Sequence, residues 1–469
     1  MLTRRELLIL TLGFMLTLPA VTTRIYASDE MQYFSWLRSV TFDHDVSFEN
    51  EYRYFWDRGV SHTPDSYTTF FELKNEAGRT INFAPVGSAM LWAPFYAVGH
   101  VAAVVTGAPR DGFSPPYIKA VAYGSATYAF LAVLLSIAIA RRIVGHGRDT
   151  ALLILIGTPL IFYTYVAPVY SHACAAFAVA LFLWTWLRIR DTWTVRGVIA
   201  LGAAGALMAM VREQDVFFVA GPALDFIRWA LAHRPTGSAS RPRLDGPVGP
   251  MGLVTRALVG GVTFLVCYLP QLIAYKSLNG HFGPTYLAWR KMFWTSPHKW
   301  DVLINPHHGF FIWTPLALVA IAGLVLLALR GARFRAHDAA WLGTLALVMV
   351  ATQIYISGAV ESWTVAGSFG QRRFVSLTPL LVLGLAALWH GWPDTVTRRA
   401  RGIVSVLVIV CIWWNLGLMA QFGDSRMDRQ QLMLKDNAWQ TFVVLPHDAP
   451  SLVWRYFTDR ASFYRVHPH

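Results

Sequence analysis

The amino-acid sequence predicts an all-α polytopic membrane protein with about eleven transmembrane helices and a long first extracytoplasmic loop. Of its 469 residues, 55% are hydrophobic and only 14% are charged, whereas soluble domains carry about a quarter charged residues. The apolar residues fall in blocks of about fifteen to twenty-five, and a helix of about twenty residues matches the roughly 30 Å hydrocarbon core of a bilayer. These observations argue against a soluble enzyme and indicate a chain that crosses the membrane repeatedly.

Basic residues separate the apolar blocks and indicate how the chain is oriented. A net charge of +13 would suggest nucleic acid as the partner of a soluble protein, but here arginines lie in short loops, as is typical of the cytoplasmic side of a membrane protein. We therefore expect membrane lipids as partners and no nucleic acid. The predicted spans are 7–25, 117–140, 151–168, 171–187, 195–211, 216–232, 256–275, 310–329, 339–357, 374–390 and 402–421.

The apolar block 85–107 is long enough to be a twelfth span, and its hydropathy alone leaves both positions open. Counting it as a span would move every later arginine-rich loop to the outer side, against the positive-inside rule. We therefore expect it to lie on the outer surface or dip into it, with the N terminus inside and the C terminus outside. The opening Arg4-Arg5 and its apolar run also resemble a secretory signal. Because the run is long for a signal, we expect it to stay as the first helix.

This topology predicts a transmembrane domain 1–421 and an extracytoplasmic C-terminal tail 422–469. The domain contains a first external loop 26–116, a cytoplasmic linker 233–250 rich in Pro, Gly, Ser and Arg, and a second external loop 276–309. A connection of about ninety residues, such as the first external loop, is unusual and often functional. The three cysteines lie inside apolar blocks without CxxC spacing, so we expect neither a disulfide nor a metal site from them.

Two adjacent acids, Asp29 and Glu30, directly follow the first predicted span. Ser28 is suited to cap the start of a short helix, which would place both acids in the first turn at the membrane surface. Acids at a helix N-terminus also complement the helix dipole without any further role. The local pattern alone therefore leaves a functional and a structural interpretation open.

The order of motifs in the first external loop resembles that of a known family. Asp29-Glu30 is followed by Phe42-Asp43-His44-Asp45, by Phe48-Glu49-Asn50-Glu51-Tyr52 and by Asn82-Phe83-Ala84-Pro85-Val86-Gly87. This order is similar to that of the GT-C superfamily of polyprenyl-phosphate-sugar-dependent glycosyltransferases, in particular the branch with protein O-mannosyltransferases and the aminoarabinose transferases of lipid A. In that family one or two acids follow the first helix, two surface helices lie in the loop, and the next span ends in a basic pair, here Arg141-Arg142.

The resemblance covers roughly the first two hundred residues. Beyond them it rests on topology and on Gly370-Gln371-Arg372-Arg373-Phe374, and the middle loops align with no named subgroup. It implies transfer of a sugar from a polyprenyl-phosphate donor to an acceptor hydroxyl, on the periplasmic or extracellular side of the bacterial inner (plasma) membrane. The donor sugar stays open, as does the acceptor, which is a glycan, a lipid or a protein.

The resemblance implies Asp29 as the catalytic base, with Glu30 as its partner or substitute. No cofactor is expected. A divalent cation on the two acids stays open as an alternative, although hard cations need more oxygen ligands than two neighbouring side chains usually supply. Asp43-His44-Asp45 matches the DxD pattern of nucleotide-sugar enzymes, but this tripeptide arises easily by chance. We interpret it as a turn or as part of the acceptor surface.

A departing lipid phosphate needs cationic partners, and arginine suits this role because its planar guanidinium binds two phosphate oxygens at once. The candidates on the predicted outer side are Lys74, Arg79, Arg212, Lys276, Arg372 and Arg373. The alternative for each of them is that it extends to the membrane surface or contacts lipid headgroups. Arg212 has a further alternative, an ion pair with Glu213 or Asp215.

Four further residues are candidates for the substrate cavity: His172, His308, Glu361 and Trp363. An acid beside an aromatic residue suits a sugar, but Trp363 also fits an interfacial tryptophan belt. The histidines have structural hydrogen bonding as their default role. Because adjacent side chains such as His307 and His308 point apart on most backbones, we expect no two-histidine metal site.

Two other functions compete with sugar transfer. A transporter or a flippase for lipid-linked sugars would show internal symmetry and ionisable residues at mid-membrane. The sequence has no evident repeat, and the clearest candidate is Asp225, which a local pair with Arg228 would explain. A non-catalytic scaffold that binds a partner through the outer loop and tail is the second competitor.

Overall fold

The structure is a computed structural model that describes residues 2–232, 250–365, 367–391 and 398–464. Within these residues the chain is helical, and extended pairing is limited to two isolated bridges, Lys74 with Thr80 and Met292 with Val360. The all-α class is therefore confirmed. The predicted linker 233–250, apart from Pro250, and the tail residues 465–469 lie outside the described residues.

The helices follow the predicted blocks closely. The α-helices are Arg4–Thr17, Ser28–Arg38, Glu49–Trp56, Pro64–Tyr67, Gly87–Thr106, Pro115–Ile143, Arg148–Gly157, Leu160–Tyr165, His172–Ile189, Val195–Val211, Ala220–Ala232, Pro250–Asn279, Tyr286–Arg290, Asp301–Ile304, Phe310–Trp313, Pro315–Leu329, Ala339–Ala359, Thr378–His390, Arg398–Gly423, Leu434–Trp439 and Leu445–Thr458. Tighter 3₁₀ turns are Leu18–Ala20, Glu213–Val219, Gly331–Arg333, Arg372–Leu377 and Arg460–Tyr464, and wider π turns are Ser39–Asp43, Thr68–Glu72 and Gln440–Val444.

Seven helices of the described chain are long and apolar enough to cross a membrane. They are Gly87–Thr106, Pro115–Ile143, His172–Ile189, Met251–Asn279, Ala339–Ala359, Arg372–His390 and Gly402–Gly423, and the shorter apolar helices are Val195–Val211 and Pro315–Leu329. The structure thus supports an integral membrane protein, whereas the count of eleven spans stays a prediction.

One predicted span, 151–168, is interrupted inside the block. The block 151–168 forms two helices because Pro159, which lacks an N–H group, follows an extended Thr158. The amide of Asn415 donates to the carbonyls of Ile156 at 2.9 Å and Thr158 at 3.2 Å, which satisfies backbone groups that the break leaves free. Irregular backbone inside a membrane protein is tolerated where it is buried in protein or lines a cavity.

Charged residues that were predicted inside meet at one end of the bundle. Arg141 donates to Glu6 at 2.9 Å, which joins the end of helix Pro115–Ile143 to the start of the chain. Arg142 reaches Asp191 at 3.4 Å. We call this the inner end and the opposite end, where Asp29 lies, the outer end.

Asp225 belongs to a closed network at the inner end. Arg190 donates to its carboxylate through two nitrogens, each at 2.8 Å, and also to Asp338 at 2.6 Å. The indoles of Trp186 and Trp341 donate to the same carboxylate at 3.0 and 2.8 Å. The expected local pair of Asp225 with Arg228 is therefore wrong, because an arginine from another helix takes its place.

Both ends of helix Gly87–Thr106 lie toward the outer end of the bundle. Gly87 lies against the backbone of Val211, where helix Val195–Val211 ends. Beyond its other end, the carbonyl of Asp111 accepts from Arg38 at 3.4 Å. These contacts favour the surface position expected for 85–107, even though the helix is long enough to span.

Contacts with the neighbouring helix Pro115–Ile143 indicate the same surface position. The hydroxyl of Tyr128 donates to the carbonyl of Leu91 at 2.8 Å, and a ring nitrogen of His100 lies 2.7 Å from the hydroxyl of Tyr117. Helix Gly87–Thr106 therefore runs beside the outer half of this neighbour only. The remaining half continues beyond Tyr128 toward the inner end.

Candidate functional site

A cavity of about 640 Å³ lies at the outer end of the bundle, and we call it the outer cavity. Its wall combines the start of helix Ser28–Arg38, the turn Glu213–Val219, the outer part of helix Pro250–Asn279, the second external loop and the turn Arg372–Leu377. The charged residues on the wall are Asp29, Arg212, Glu213, Lys291, Arg372 and Arg373. Four of these six were candidates from the sequence.

Asp29 and Arg372 form an ion pair on the wall of the outer cavity. One guanidinium nitrogen of Arg372 lies 2.6 Å from a carboxylate oxygen of Asp29, and both side chains are partly exposed. Arg372 also lies over the ring of Tyr170, at 5.6 Å from the ring centre. Two residues that are far apart in the sequence thus meet on this wall.

The backbone around Arg372 explains how it reaches this position. Gly370 adopts a left-handed conformation with φ of +63°, and an added Cβ would lie 2.7 Å from the ring of Pro159. The amide of Gln371 donates to the carbonyl of Trp363 at 2.9 Å. A glycine is thus required for both conformation and space, and the turn it allows carries Arg372 to the cavity.

Gln214 links the other two arginines of the cavity. Its side-chain oxygen accepts from Arg212 at 3.2 Å and from Arg373 at 3.4 Å, while its nitrogen donates to the carbonyl of Arg373 at 3.0 Å. Arg212 also donates to Ser171 at 3.4 Å and lies 3.0 Å from Nδ1 of His172. These partners are neutral, and among the described residues no carboxylate forms an ion pair with Arg212 or Arg373.

The alternative pairing of Arg212 is not observed. Within the described part of the chain, neither Glu213 nor Asp215 lies within ion-pair distance of Arg212. The Nε atoms of Arg212 and Arg373 are buried without a hydrogen-bond acceptor in the described residues. Buried donors normally find a partner, so the arrangement fits an anion with several oxygen atoms.

Glu213 is a second carboxylate on the outer cavity. It begins the turn Glu213–Val219, directly after the extended Arg212 that ends helix Val195–Val211. Burial raises the pKa of its carboxyl to about 7. Sequence reasoning considered Glu213 only as a partner of Arg212 and therefore missed its position on the wall.

Glu30 does not lie on the wall of the outer cavity. Its side chain is fully buried, and one oxygen accepts from the backbone nitrogens of Tyr26 at 3.0 Å and Ala27 at 3.3 Å. Burial raises the pKa of its carboxyl to about 8. The side chain of Glu30 thus caps the backbone at the start of its helix, whereas the side chain of Asp29 forms an ion pair with Arg372.

The two candidate histidines lie beside the cavity rather than on its wall. His172 contacts Arg212 and packs against the rings of Tyr163 and Tyr170. His308 lies 2.8 Å from the carbonyl of Ser368 through Nε2 and stacks on Trp313 with ring centres 4.5 Å apart. Burial lowers the pKa of His308 to about 4, so this histidine is neutral and structural at neutral pH.

Three basic candidates lie away from the wall and hold external loops together. Lys74 is 3.9 Å from Glu49, Arg79 donates to the carbonyl of Ser277, and Lys276 donates to the carbonyl of Gly280 at 2.7 Å. The first external loop is thereby tied to the start of the second. A role in binding phosphate stays a prediction for these three residues.

Glu361 and Trp363 also lie outside the wall of the outer cavity. Glu361 is exposed, and its backbone nitrogen donates to the carbonyl of Lys291 at 2.7 Å. Trp363 stacks on His298 with ring centres 5.4 Å apart, and its carbonyl holds Gln371. Both residues support segments that reach the cavity.

The Asp43-His44-Asp45 motif forms a turn, as one of the two interpretations predicted. Asp43 accepts from Arg38 and from Asn50, and Asp45 accepts from Ser39 at 2.9 Å. His44 sits in the left-handed region with φ of 59°. The two acids thus serve the packing of the first external loop.

Lys291 is a charged cavity residue that sequence reasoning missed. Its ammonium lies over the ring of Phe83, 5.2 Å from the ring centre. Trp289 and Trp294 flank it and line the same cavity. The signal that could have found it is a lysine between aromatic residues in an external loop.

Comparisons with known proteins give matches among solved structures only. No protein-family model matches the sequence, and no curated protein sequence matches it. Among solved structures, the chain is similar to the crystal structure of ArnT from Cupriavidus metallidurans in the apo state, with a TM-score of 0.47 and 14% sequence identity. The similarity covers 97% of this chain and 76% of that chain.

Proposed function

We propose that this protein is an integral membrane glycosyltransferase that moves a sugar from a polyprenyl-phosphate donor to an acceptor hydroxyl. The observation that carries the proposal is the convergence of Asp29, Arg212, Arg372 and Arg373 on one cavity at the outer end. The motif order of the first external loop, which is similar to that of the GT-C superfamily, supports the same reaction. A carboxylate beside several arginines is what this reaction needs, because it creates an anionic leaving group and releases a proton.

The arginines are the proposed site of the donor phosphate. Neutral partners hold the guanidinium groups of Arg212 and Arg373 in place. Each group has a buried Nε without an acceptor among the described residues. A phosphate oxygen satisfies such donors through short, charge-assisted hydrogen bonds. As the bond between the sugar and the phosphate breaks, negative charge grows on the phosphate, and fixed cations stabilise that change.

Arg372 is the proposed link between donor binding and proton transfer. It pairs with Asp29 at 2.6 Å, and a donor phosphate competes with Asp29 for the same guanidinium. The family resemblance supplies Asp29 as the base that removes the acceptor proton. With a β-linked donor, a single displacement by the acceptor hydroxyl would invert the anomeric centre.

The proposed site of action is the periplasmic or extracellular face of a bacterial inner membrane, with about eleven spans. The arginine-rich loops expected inside meet at the inner end, and the outer cavity lies at the opposite end. Apolar and aromatic side chains make up much of its wall. A lipid-linked donor is chemically compatible with a polar centre inside such a wall.

The test is transfer by purified protein from a panel of synthetic polyprenyl-phosphate sugars to candidate acceptors. We expect Asp29→Asn to lower the transfer rate by about 100-fold or more, the range usual for loss of an acid–base group. Asp57→Asn is the matched control, because Asp57 is exposed in the same external loop. A folded Asp29→Asn protein with full activity would remove Asp29 from the mechanism.

The transporter alternative has less support from the described residues. Its clearest ionisable candidate, Asp225, accepts hydrogen bonds from Arg190 and from two indoles. These partners account for the buried carboxylate without a transported ion. Sugar transfer by detergent-solubilised protein, without a membrane gradient, would decide for the enzyme.

A further inference from the structure

Gln214 joins the two turns that carry arginines of the outer cavity. It is the second residue of the turn Glu213–Val219, and its side-chain nitrogen donates to the carbonyl of Arg373, in the turn Arg372–Leu377, at 3.0 Å. Its side-chain oxygen accepts from Arg212 at 3.2 Å and from Arg373 at 3.4 Å. One amide therefore holds two guanidinium groups and the backbone beside one of them.

The chemistry of these contacts fixes the orientation of the amide. An arginine side chain only donates, so it must face the oxygen, whereas a carbonyl only accepts, so it must face the nitrogen. The backbone carbonyl of Gln214 accepts from the side chain of Gln353 at 3.2 Å, which anchors the residue to helix Ala339–Ala359. Gln214 is thus held at its backbone while its side chain meets all three partners.

The residue that reaches both arginines is the uncharged one of three polar neighbours. Glu213 and Asp215 flank Gln214 in the sequence. Among the described residues neither acid forms an ion pair with Arg212 or Arg373. Consecutive residues of a 3₁₀ turn point about 120° apart, so the arginines meet the amide and not the two carboxylates. A carboxylate in the place of the amide would neutralise the arginines and would present an oxygen to the carbonyl of Arg373, where a donor is needed.

We propose that Gln214 is a positioning residue that holds Arg212 and Arg373 side by side, and that its neutral amide leaves their positive charge for an anionic phosphate. This inference rests on the proposed sugar transfer and names the residue that arranges its donor-phosphate site. Each of the two guanidinium groups keeps a buried Nε without an acceptor among the described residues. Two like charges held together repel each other, and a phosphate between them offsets this repulsion.

The charge of the ligand makes this role measurable. The donor is a phosphodiester with one negative charge, whereas the released polyprenyl phosphate is a monoester with a charge of about −1.5 to −2 at pH 7. A carboxylate beside the two arginines would compete with both ligands, and it would repel the more highly charged one more strongly. Loss of the amide without a new charge would only loosen the arginines, so it should weaken both ligands to a similar extent.

The experiment measures the affinity of the purified full-length protein for polyprenyl phosphate and for a polyprenyl-phosphate sugar at pH 8. Gln214→Met keeps the length of the side chain and removes its hydrogen bonds, and we expect about 10-fold weaker binding of both ligands. Gln214→Glu should weaken the binding of polyprenyl phosphate by about 100-fold and that of the sugar donor by less. A purely structural role would not separate the two ligands by charge. Gln430→Glu, the same change at an exposed position in the C-terminal tail, should match the wild type.

The binding data and the transfer assay keep this inference separate from the proposed function. A folded Gln214→Glu protein that binds polyprenyl phosphate as tightly as the wild type overturns the inference, as does an equal loss for the two ligands. A wild-type protein that binds polyprenyl phosphate but transfers no sugar counts against the proposed function alone. If Gln214→Glu fails to fold, Gln214→Asn decides. Its side chain is one methylene shorter and cannot reach both arginines, so polyprenyl phosphate should bind about 10-fold more weakly, and wild-type affinity contradicts the inference.

Discussion

Arg372 and Asp29 are joined by an ion pair of 2.6 Å, although 342 positions of the chain separate them. The pair connects the start of the first external loop to the turn that follows the ninth predicted span. It also fixes the relation between a carboxylate and the three arginines of the outer cavity. The predictions below concern that relation and the surroundings that maintain it.

Replacing Arg372 with lysine should impair donor use although the charge is kept. A lysine ammonium is a point charge and cannot offer the planar pair of donors that arginine presents to a phosphate. We expect kcat/KM for the donor to fall about 10-fold or more, since one charge-assisted hydrogen bond contributes about 1.5–3 kcal/mol. Steady-state transfer assays with varied donor concentration would measure this. Wild-type kinetics in Arg372→Lys would contradict a phosphate contact.

Replacing Arg212 with alanine should weaken donor binding more than the same change at Arg79. Arg212 lines the outer cavity, whereas Arg79 donates to the backbone of Ser277 and lies away from the wall. We expect the donor KM to rise about 10- to 100-fold in Arg212→Ala. The comparison is informative because both residues were candidates by sequence. A larger effect at Arg79 would place the phosphate outside the outer cavity.

The stability of the first external loop should depend on pH through Glu51. Glu51 is buried next to Arg38 at 3.0 Å, and burial raises the pKa of its carboxyl to about 7. Because the folded-state pKa lies above the unfolded value, the stabilising effect of the protonated form is complete below about 4.5. It is lost as the pH rises through 7.

The measurement for Glu51 is hydrogen exchange of helix Glu49–Trp56 at pH values from 5 to 8, corrected for the intrinsic exchange rate. The free energy of local opening should fall by about 2 kcal/mol over this range. Glu51→Gln cannot ionise and should remove the dependence. An equal dependence in Glu51→Gln would assign it to another group.

Labelling of single introduced cysteines should define the topology. We expect Asp65→Cys and Arg110→Cys, both exposed on external segments, to react with a membrane-impermeant maleimide in intact cells. Arg333→Cys, at an exposed position predicted inside, should react only after permeabilisation. Native Cys174 and Cys411 are buried, whereas Cys267 is partly exposed, so the variants should be made in a Cys267→Ser background. Labelling of Arg110→Cys only after permeabilisation would show that helix Gly87–Thr106 crosses the membrane.

The sequence by itself determined the helical class, the positions of most helices and four of the charged cavity residues. The apolar blocks predict the helices because the thickness of the bilayer sets the length of a membrane-spanning helix, and distant contacts do not. Asp29 was predicted from the resemblance of the first external loop to a known family. Arg212, Arg372 and Arg373 were predicted because a departing phosphate needs cationic partners on the outer side.

Only the tertiary structure decided which neighbours share a surface. Asp29 and Glu30 are adjacent, but successive residues on a helix point about 100° apart, so one reaches Arg372 and the other closes the helix start. Glu213 and Lys291 likewise join the wall through the packing of separate segments. Such distant contacts depend on how helices pack, and no local pattern in the chain specifies them.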